Sequence, residues 1–149
     1  MKILIATDGS EFSQRAVEKA CELVTNPNAT EIRIVSVFTA PTIATEPFMA
    51  TPDYYQSVSD SVKALAEGYV RTARATIENR IPNVAITEEA IMGIPGQTIV
   101  QIAEEWGPDL IVVGSHGHGF WGRALLGSVS DAVVHHAPCS VFVVRRGSK

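Results

Sequence analysis

The chain has 149 residues, 46% of them hydrophobic and 19% charged, with 12 Lys and Arg against 16 Asp and Glu for a formal charge of −4. That size fits one domain, 1–149, able to bury an ordinary core, and the acidic balance offers no electrostatic footprint for nucleic acid. The opening MKILIATDGS has too few apolar residues for a secretory leader and no run reaches membrane-spanning length, so a cytoplasmic protein with no membrane partner is expected.

Residues 2–7 (KILIAT) form a short apolar run suited to a buried strand, and Asp8-Gly9-Ser10 follows as a turn that can cap a helix. From Glu11 to about Val24, the residues Phe12, Ala16, Ala20, Leu23 and Val24 recur at three-to-four spacing and mark one helical face. Asn26-Pro27-Asn28 ends that helix. Residues 31–38 (EIRIVSVF) read as the second strand. Residues 40–55 (APTIATEPFMATPDYY) carry three prolines and no clear period, which reads as a long loop. A helix from about Gln56 to Asn79 puts Val58, Val62, Leu65, Tyr69, Ala73 and Ile77 on one stripe.

Residues 84–91 are the third predicted strand. Gly93-Ile94-Pro95 then opens a helix through Trp106, since proline is tolerated in a first turn that lacks amide partners. Gly107-Pro108 stops it. Residues 109–114 (DLIVVG) are the fourth strand, residues 128–136 the fourth helix, and Ser140 to Arg145 the last strand. Five strands alternating with four helices predict an α/β fold: a Rossmann-like, doubly wound five-stranded parallel sheet with helices on both faces and right-handed crossovers. With strand order 3-2-1-4-5, the winding reverses between the first and fourth strands, whose glycine-bearing ends at Asp8-Gly9 and Gly114 open into one crevice. Cys21 and Cys139 fit no zinc or redox spacing and are expected to be buried free thiols.

The segment after the fourth strand, GSHGHGFWGRALLGSVSD, admits three phosphate patterns. A P-loop requires a Gly-Lys pair, and the chain has none. Gly117-His118-Gly119-Phe120-Trp121-Gly122 matches G-x-G-x-x-G, but it does not open a helix directly, and Phe142 stands where the dinucleotide fingerprint needs an acid. The third pattern is Gly114-x2-Gly117-x9-Gly127-Ser128. Here glycines would let the backbone leave the strand through angles denied to other residues and bring amides close to a ligand. Gly127 would do the same ahead of a helix start, where Ser128 can cap and unpaired amides favour an anion. The competing reading is a capping box from Ser128 to Asp131, which needs no ligand.

With the opening strand and Asp8, the Gly93-Ile94-Pro95 entry, DLIVVGSHG and GSVSDAVVHHAPCSVFVVR, this pattern resembles the ATP-binding branch of the universal stress protein family along the whole chain. The resemblance implies that Asp8 hydrogen-bonds the ribose or adenine, that Ala6 and Thr7 line the base, and that Val37 packs on adenine above Val113. It places Gly114, His116, Gly117, Gly127, Ser128, Val129 and Ser130 around the phosphates, through amides for most and hydroxyls for the two serines. N-capping by Asp8 and plain core packing by Val37 and Val113 are the structural alternatives. His116 and His118 lack the partners of a metal site. His135-His136 fits the last turn of a helix, where a cation helps the dipole, and Trp121 would pack the loop onto the body.

The implied function is that of an ATP-binding, nucleotide-responsive regulatory protein acting in stress responses with Mg2+ as counter-ion. Its implied partners are an adenine nucleotide, a regulatory protein and a second copy paired through the last strand, where an unprotected edge invites pairing. Slow ATP hydrolysis or nucleotidyl transfer in the same crevice is the alternative. Phosphoryl transfer needs cations placed at developing charge, and the loop provides only Arg123, with Mg2+ and Asp8 or Asp131 as the remaining means. Residues 40–55 are expected to fold over the nucleotide or across a subunit boundary, and Arg145, Arg146 and Lys149 to form a solvated tail.

Overall fold

The computed structural model describes residues 1–40, 51–117 and 126–145. Most of the long loop after the second strand, together with His118, Trp121, Arg123, Arg146 and Lys149, lies outside those residues.

Five parallel strands, β1 (Lys2–Ala6), β2 (Glu31–Phe38), β3 (Ala85–Met92), β4 (Leu110–Gly114) and β5 (Ser140–Val144), form one sheet in the order β3-β2-β1-β4-β5. Strand periodicity divides the core into two layers. Ile3, Ile5, Ile32, Ile34 and Val112 face α1 (Glu11–Leu23) and α2 (Pro52–Arg80), while Leu4, Val35, Ile111 and Val113 face α3 (Pro95–Trp106) and α4 (Ser128–His136). Strands β1 and β4 are apolar on both faces because both are covered, which is why they read as continuous hydrophobic runs. Among the described residues no helix is long and apolar enough to cross a membrane.

Several local expectations shift. The buried face of α1 is Ser13, Ala16, Val17, Ala20 and Cys21, with Leu23 37% exposed. Ser13 can join that face because its hydroxyl donates to the Ser10 carbonyl at 3.0 Å. Helix α2 begins at Pro52, four residues before the expected start, because the Thr51 side chain accepts from the Tyr54 amide and Pro52 occupies the first turn. Its buried stripe is Ala66, Val70, Ala73 and Ile77, whereas Leu65 is exposed. A short 3-10 turn, Pro27–Ala29, links α1 to β2. Cys21 is buried and Cys139 half-buried, both free. Loss of solvent is the main reason that both thiols titrate above their ordinary range.

Candidate functional site

The winding reverses between β1 and β4, which pair directly through Ile3↔Leu110, Leu4↔Ile111 and Ile5↔Val112. The chain leaves these two neighbours in opposite directions, so a crevice of about 650 Å3 opens beyond their carboxyl ends. That volume lies within the usual range for small-molecule sites. All twelve residues singled out from the sequence line it: Ala6, Thr7 and Asp8 after β1; Val37 on β2; Val113, Gly114, His116 and Gly117 at the end of β4; and Gly127, Ser128, Val129 and Ser130 at the start of α4.

Ser13, Val35, Thr39, Pro95 and Ile99 line it as well, and none of them was singled out from the sequence. Ala6, Val35, Val37, Pro95, Ile99 and Val113 make its apolar part, suited to a flat ring. Pro95 had a visible signal in the Gly-Ile-Pro entry to α3. Ser13 and Ile99 had none beyond helical periodicity, because their relation to the crevice depends on how α1 and α3 pack.

At the polar end, α4 has Gly127 as its N-cap in an extended conformation (φ −65°, ψ 156°), with no side-chain cap. Ser128 is therefore the first helical residue and not the cap, and the competing capping box from Ser128 to Asp131 does not form. The amides of Ser128, Val129 and Ser130 belong to the first turn, where no intrahelical acceptor exists. The first backbone bond of the helix runs from the Asp131 amide to the Gly127 carbonyl at 2.8 Å. Asp131 is not among the lining residues; its carboxylate is 58% exposed and lies 3.6 Å from His135 Nδ1, away from the crevice. The dipole of α4 thus meets the crevice with partial positive charge.

A small network holds this end in place. Ser115, 1% exposed, donates its amide to the Val144 carbonyl at 2.8 Å, and its carbonyl accepts from the Gly127 amide at 2.8 Å and from Ser130 Oγ at 2.9 Å. Ser130 Oγ also donates toward the Gly127 carbonyl at 2.9 Å. The Ser130 hydroxyl is thus engaged in holding the loop, and the Ser128 side chain is exposed. His116 lies with Nδ1 3.1 Å from Ser115 Oγ and its ring 5.3 Å from that of Phe12.

The three motif glycines do not use positive φ; among the described glycines only Gly9 and Gly107 do, which corrects the expectation of unusual backbone angles. They make room for other parts of the chain. A Cβ on Gly114 would stand 2.8 Å from the Phe12 carbonyl carbon and 2.9 Å from the Ser13 nitrogen, and one on Gly127 would stand 3.2 Å from both the His116 Cα and the Ser115 oxygen. Nor does Asp8 cap α1. Ser10 is the N-cap, its Oγ accepting from the Ser13 amide at 3.2 Å, while Asp8 Oδ1 accepts from the Ser10 amide at 3.0 Å and closes the preceding turn.

Residues 1–145 match the model of the universal stress protein family. A universal stress protein of Methanocaldococcus jannaschii is 31% identical over 150 residues, covering 99% of this chain and 84% of that protein. The solved structure of hypothetical protein MJ0577 is similar with a TM-score of 0.82 at 26% identity, over 99% of this chain and 97% of that one. A universal stress protein family member from Arabidopsis thaliana, solved with AMP bound, shares the fold with a TM-score of 0.67 at 22% identity, over 99% of this chain and 93% of that one.

Proposed function

The chain belongs to the universal stress protein family, and on that premise we propose that its crevice binds ATP and that occupancy by the nucleotide is the signal a regulatory protein partner reads. The observation that carries this reading is the convergence of an apolar slot, the Asp8 carboxylate and the first-turn amides of α4 on one crevice. Adenine would lie between Val37 and Val113, the ribose hydroxyls would donate to Asp8, and the phosphates would accept from the amides of Ser128, Val129 and Ser130. The fold holds AMP in the Arabidopsis relative.

The magnitudes allow it. Three to five hydrogen bonds to charged oxygens, at about 1.5–3 kcal/mol each, give roughly 5–15 kcal/mol gross before the cost of association. Micromolar binding needs about 8 kcal/mol. Asp8 has the one carboxylate among the described lining residues, and among the described residues no group of three or more His, Cys, Asp or Glu could hold a metal ion. Mg2+ keeps several waters and binds through phosphates plus one or two carboxylates. It therefore fits here as part of the nucleotide complex, where it would offset phosphate charge. The chain's own groups bind and orient the ligand. The same reading includes a homodimer, supported by the position of β5 at the end of the strand order.

Calorimetry with ATP and Mg2+, together with mass spectrometry of nucleotide released from freshly purified, denatured protein, tests the proposal. At a ligand concentration a hundred times Kd, binding stabilises the fold by about 2.7 kcal/mol and raises Tm by roughly 5–10 °C. Gly127→Val should abolish that rise, because the added side chain meets the His116 backbone. No heat and no thermal protection at millimolar adenylate would refute it.

A further inference from the structure

The turn after β1 and the glycine segment after β4 touch where Asp8 meets Gly117. Asp8 is fixed from one side by the turn that carries it: Oδ1 accepts from the Ser10 amide at 3.0 Å. That turn is anchored on the buried Ser13 hydroxyl, which lies 3.2 Å from Thr7 Oγ1 and 3.4 Å from the Asp8 amide and donates to the Ser10 carbonyl at 3.0 Å. From the other side, Oδ2 of Asp8 lies against Gly117. A Cβ on Gly117 would stand 2.5 Å from Oδ2 and 3.7 Å from the Asp8 Cγ. Gly117 does not have positive φ, so the missing side chain serves neighbouring space and not an unusual backbone angle, and the occupant of that space is the Asp8 carboxylate.

Resting on the nucleotide reading above, we propose that Gly117 is a positioning residue for Asp8, making the carboxylate that recognises the nucleoside depend on the backbone that surrounds the phosphates. A shift of the backbone at residues 114–117 toward a polyphosphate moves the surface against which Oδ2 rests. The site therefore reads the nucleoside and the phosphates as one object. A change at Gly117, a position grouped by sequence spacing with the phosphates, acts on the part of the ligand that carries no phosphate.

The test is a double-mutant cycle with adenosine and inorganic tripolyphosphate titrated separately into wild type, Gly117→Ala, Asp8→Ala and the double variant. In the wild-type background Gly117→Ala should weaken adenosine by about tenfold or more, the loss of one hydrogen bond to a charged group. In the Asp8→Ala background the same change should alter adenosine binding less than about twofold, since coupled neighbours are non-additive. Thermal melting gives a readout that needs no ligand: the drop in Tm caused by Gly117→Ala should largely vanish once Asp8 is Ala, even if the single variant folds poorly. Unchanged adenosine affinity in Gly117→Ala, or additive effects on binding and melting, would overturn the coupling while leaving ATP binding by wild type intact. If wild type binds neither adenosine nor ATP with Mg2+, the nucleotide reading fails and this inference falls with it.

Discussion

One substitution, glycine to alanine, should have opposite effects at two places in this chain. At Gly114 the added methyl would lie 2.8 Å from the Phe12 carbonyl carbon, 2.9 Å from the Phe12 Cβ and 2.9 Å from the Ser13 nitrogen. Two of those atoms are backbone, in the first turn of α1, so no rotamer change relieves the overlap. Reaching ordinary contact near 3.4 Å requires α1 to move from the end of β4 by several tenths of an ångström. Overpacking of this kind costs about 1–3 kcal/mol, a large part of the roughly 5–15 kcal/mol that holds a domain together. For a chain of this size that lowers Tm by about 2–12 °C. At Gly68, within α2, the nearest atom to an added methyl is the tip of the Arg71 side chain at 4.0 Å. There alanine removes backbone entropy from the unfolded chain and gains about 0.5–1 kcal/mol. Urea and thermal unfolding of both variants measure the pair. If Gly114→Ala melts with wild type, close approach is not the reason for glycine at the end of β4; if Gly68→Ala melts below wild type, the entropy argument fails for α2.

The remaining predictions concern the backbone and the assembly. Gly107 ends α3 with φ 64° and ψ 58°, and nothing lies within 4 Å of its absent Cβ, so Gly107→Ala should cost about 1–2 kcal/mol by conformation alone; Gly107→Asn, better tolerated in that region, should recover part of the loss in the same melt. Light scattering at micromolar concentration should give twice the 16.0 kDa of one chain, and a monomer would remove pairing through β5 from the proposed function.

The parallel, two-faced sheet was legible from the alternation of apolar runs with helical periods and the handedness of crossovers, whereas the order β3-β2-β1-β4-β5 does not follow from these alone and was assumed from the glycine-bearing ends of the first and fourth strands. The faces of the helices were less legible. For α1, an apolar-only count selects Phe12 and Leu23, yet Ser13 is buried because its hydroxyl finds acceptors in its own turn, and that satisfaction is invisible in a polarity scale. For α2, the start at Pro52 had a signal in the sequence, Thr51 followed by proline, but it was masked by the prolines before it, which read as loop. The twelve residues of the crevice were legible through family spacing, and the structure brings them together. Ser13 and Ile99 were not, since each reaches the crevice through packing between elements far apart in sequence, and Val35 and Thr39, which flank Val37 on and just after β2, were passed over.

The glycine spacing shows most plainly why a motif and its physical cause can differ. Read along the chain, Gly114, Gly117 and Gly127 suggest backbone freedom beside a ligand. In the fold each is small because another segment occupies the space a side chain would need: the first turn of α1 at Gly114, the Asp8 carboxylate at Gly117, and the backbone of Ser115 and His116 at Gly127. Two of these neighbours come from the turn after β1 and the start of α1, about a hundred residues earlier in the chain. The shape of the polar end of the crevice therefore depends on the first turn of α1 as much as on its own sequence. A substitution that keeps α1 helical but withdraws the Ser13 hydroxyl would disturb the turn that carries Asp8, whereas a shift of the α1 backbone at Phe12 and Ser13 would disturb the end of β4. The spacing of the motif thus records a tertiary contact, and a protein with these glycines but a differently seated α1 would lack the same crevice.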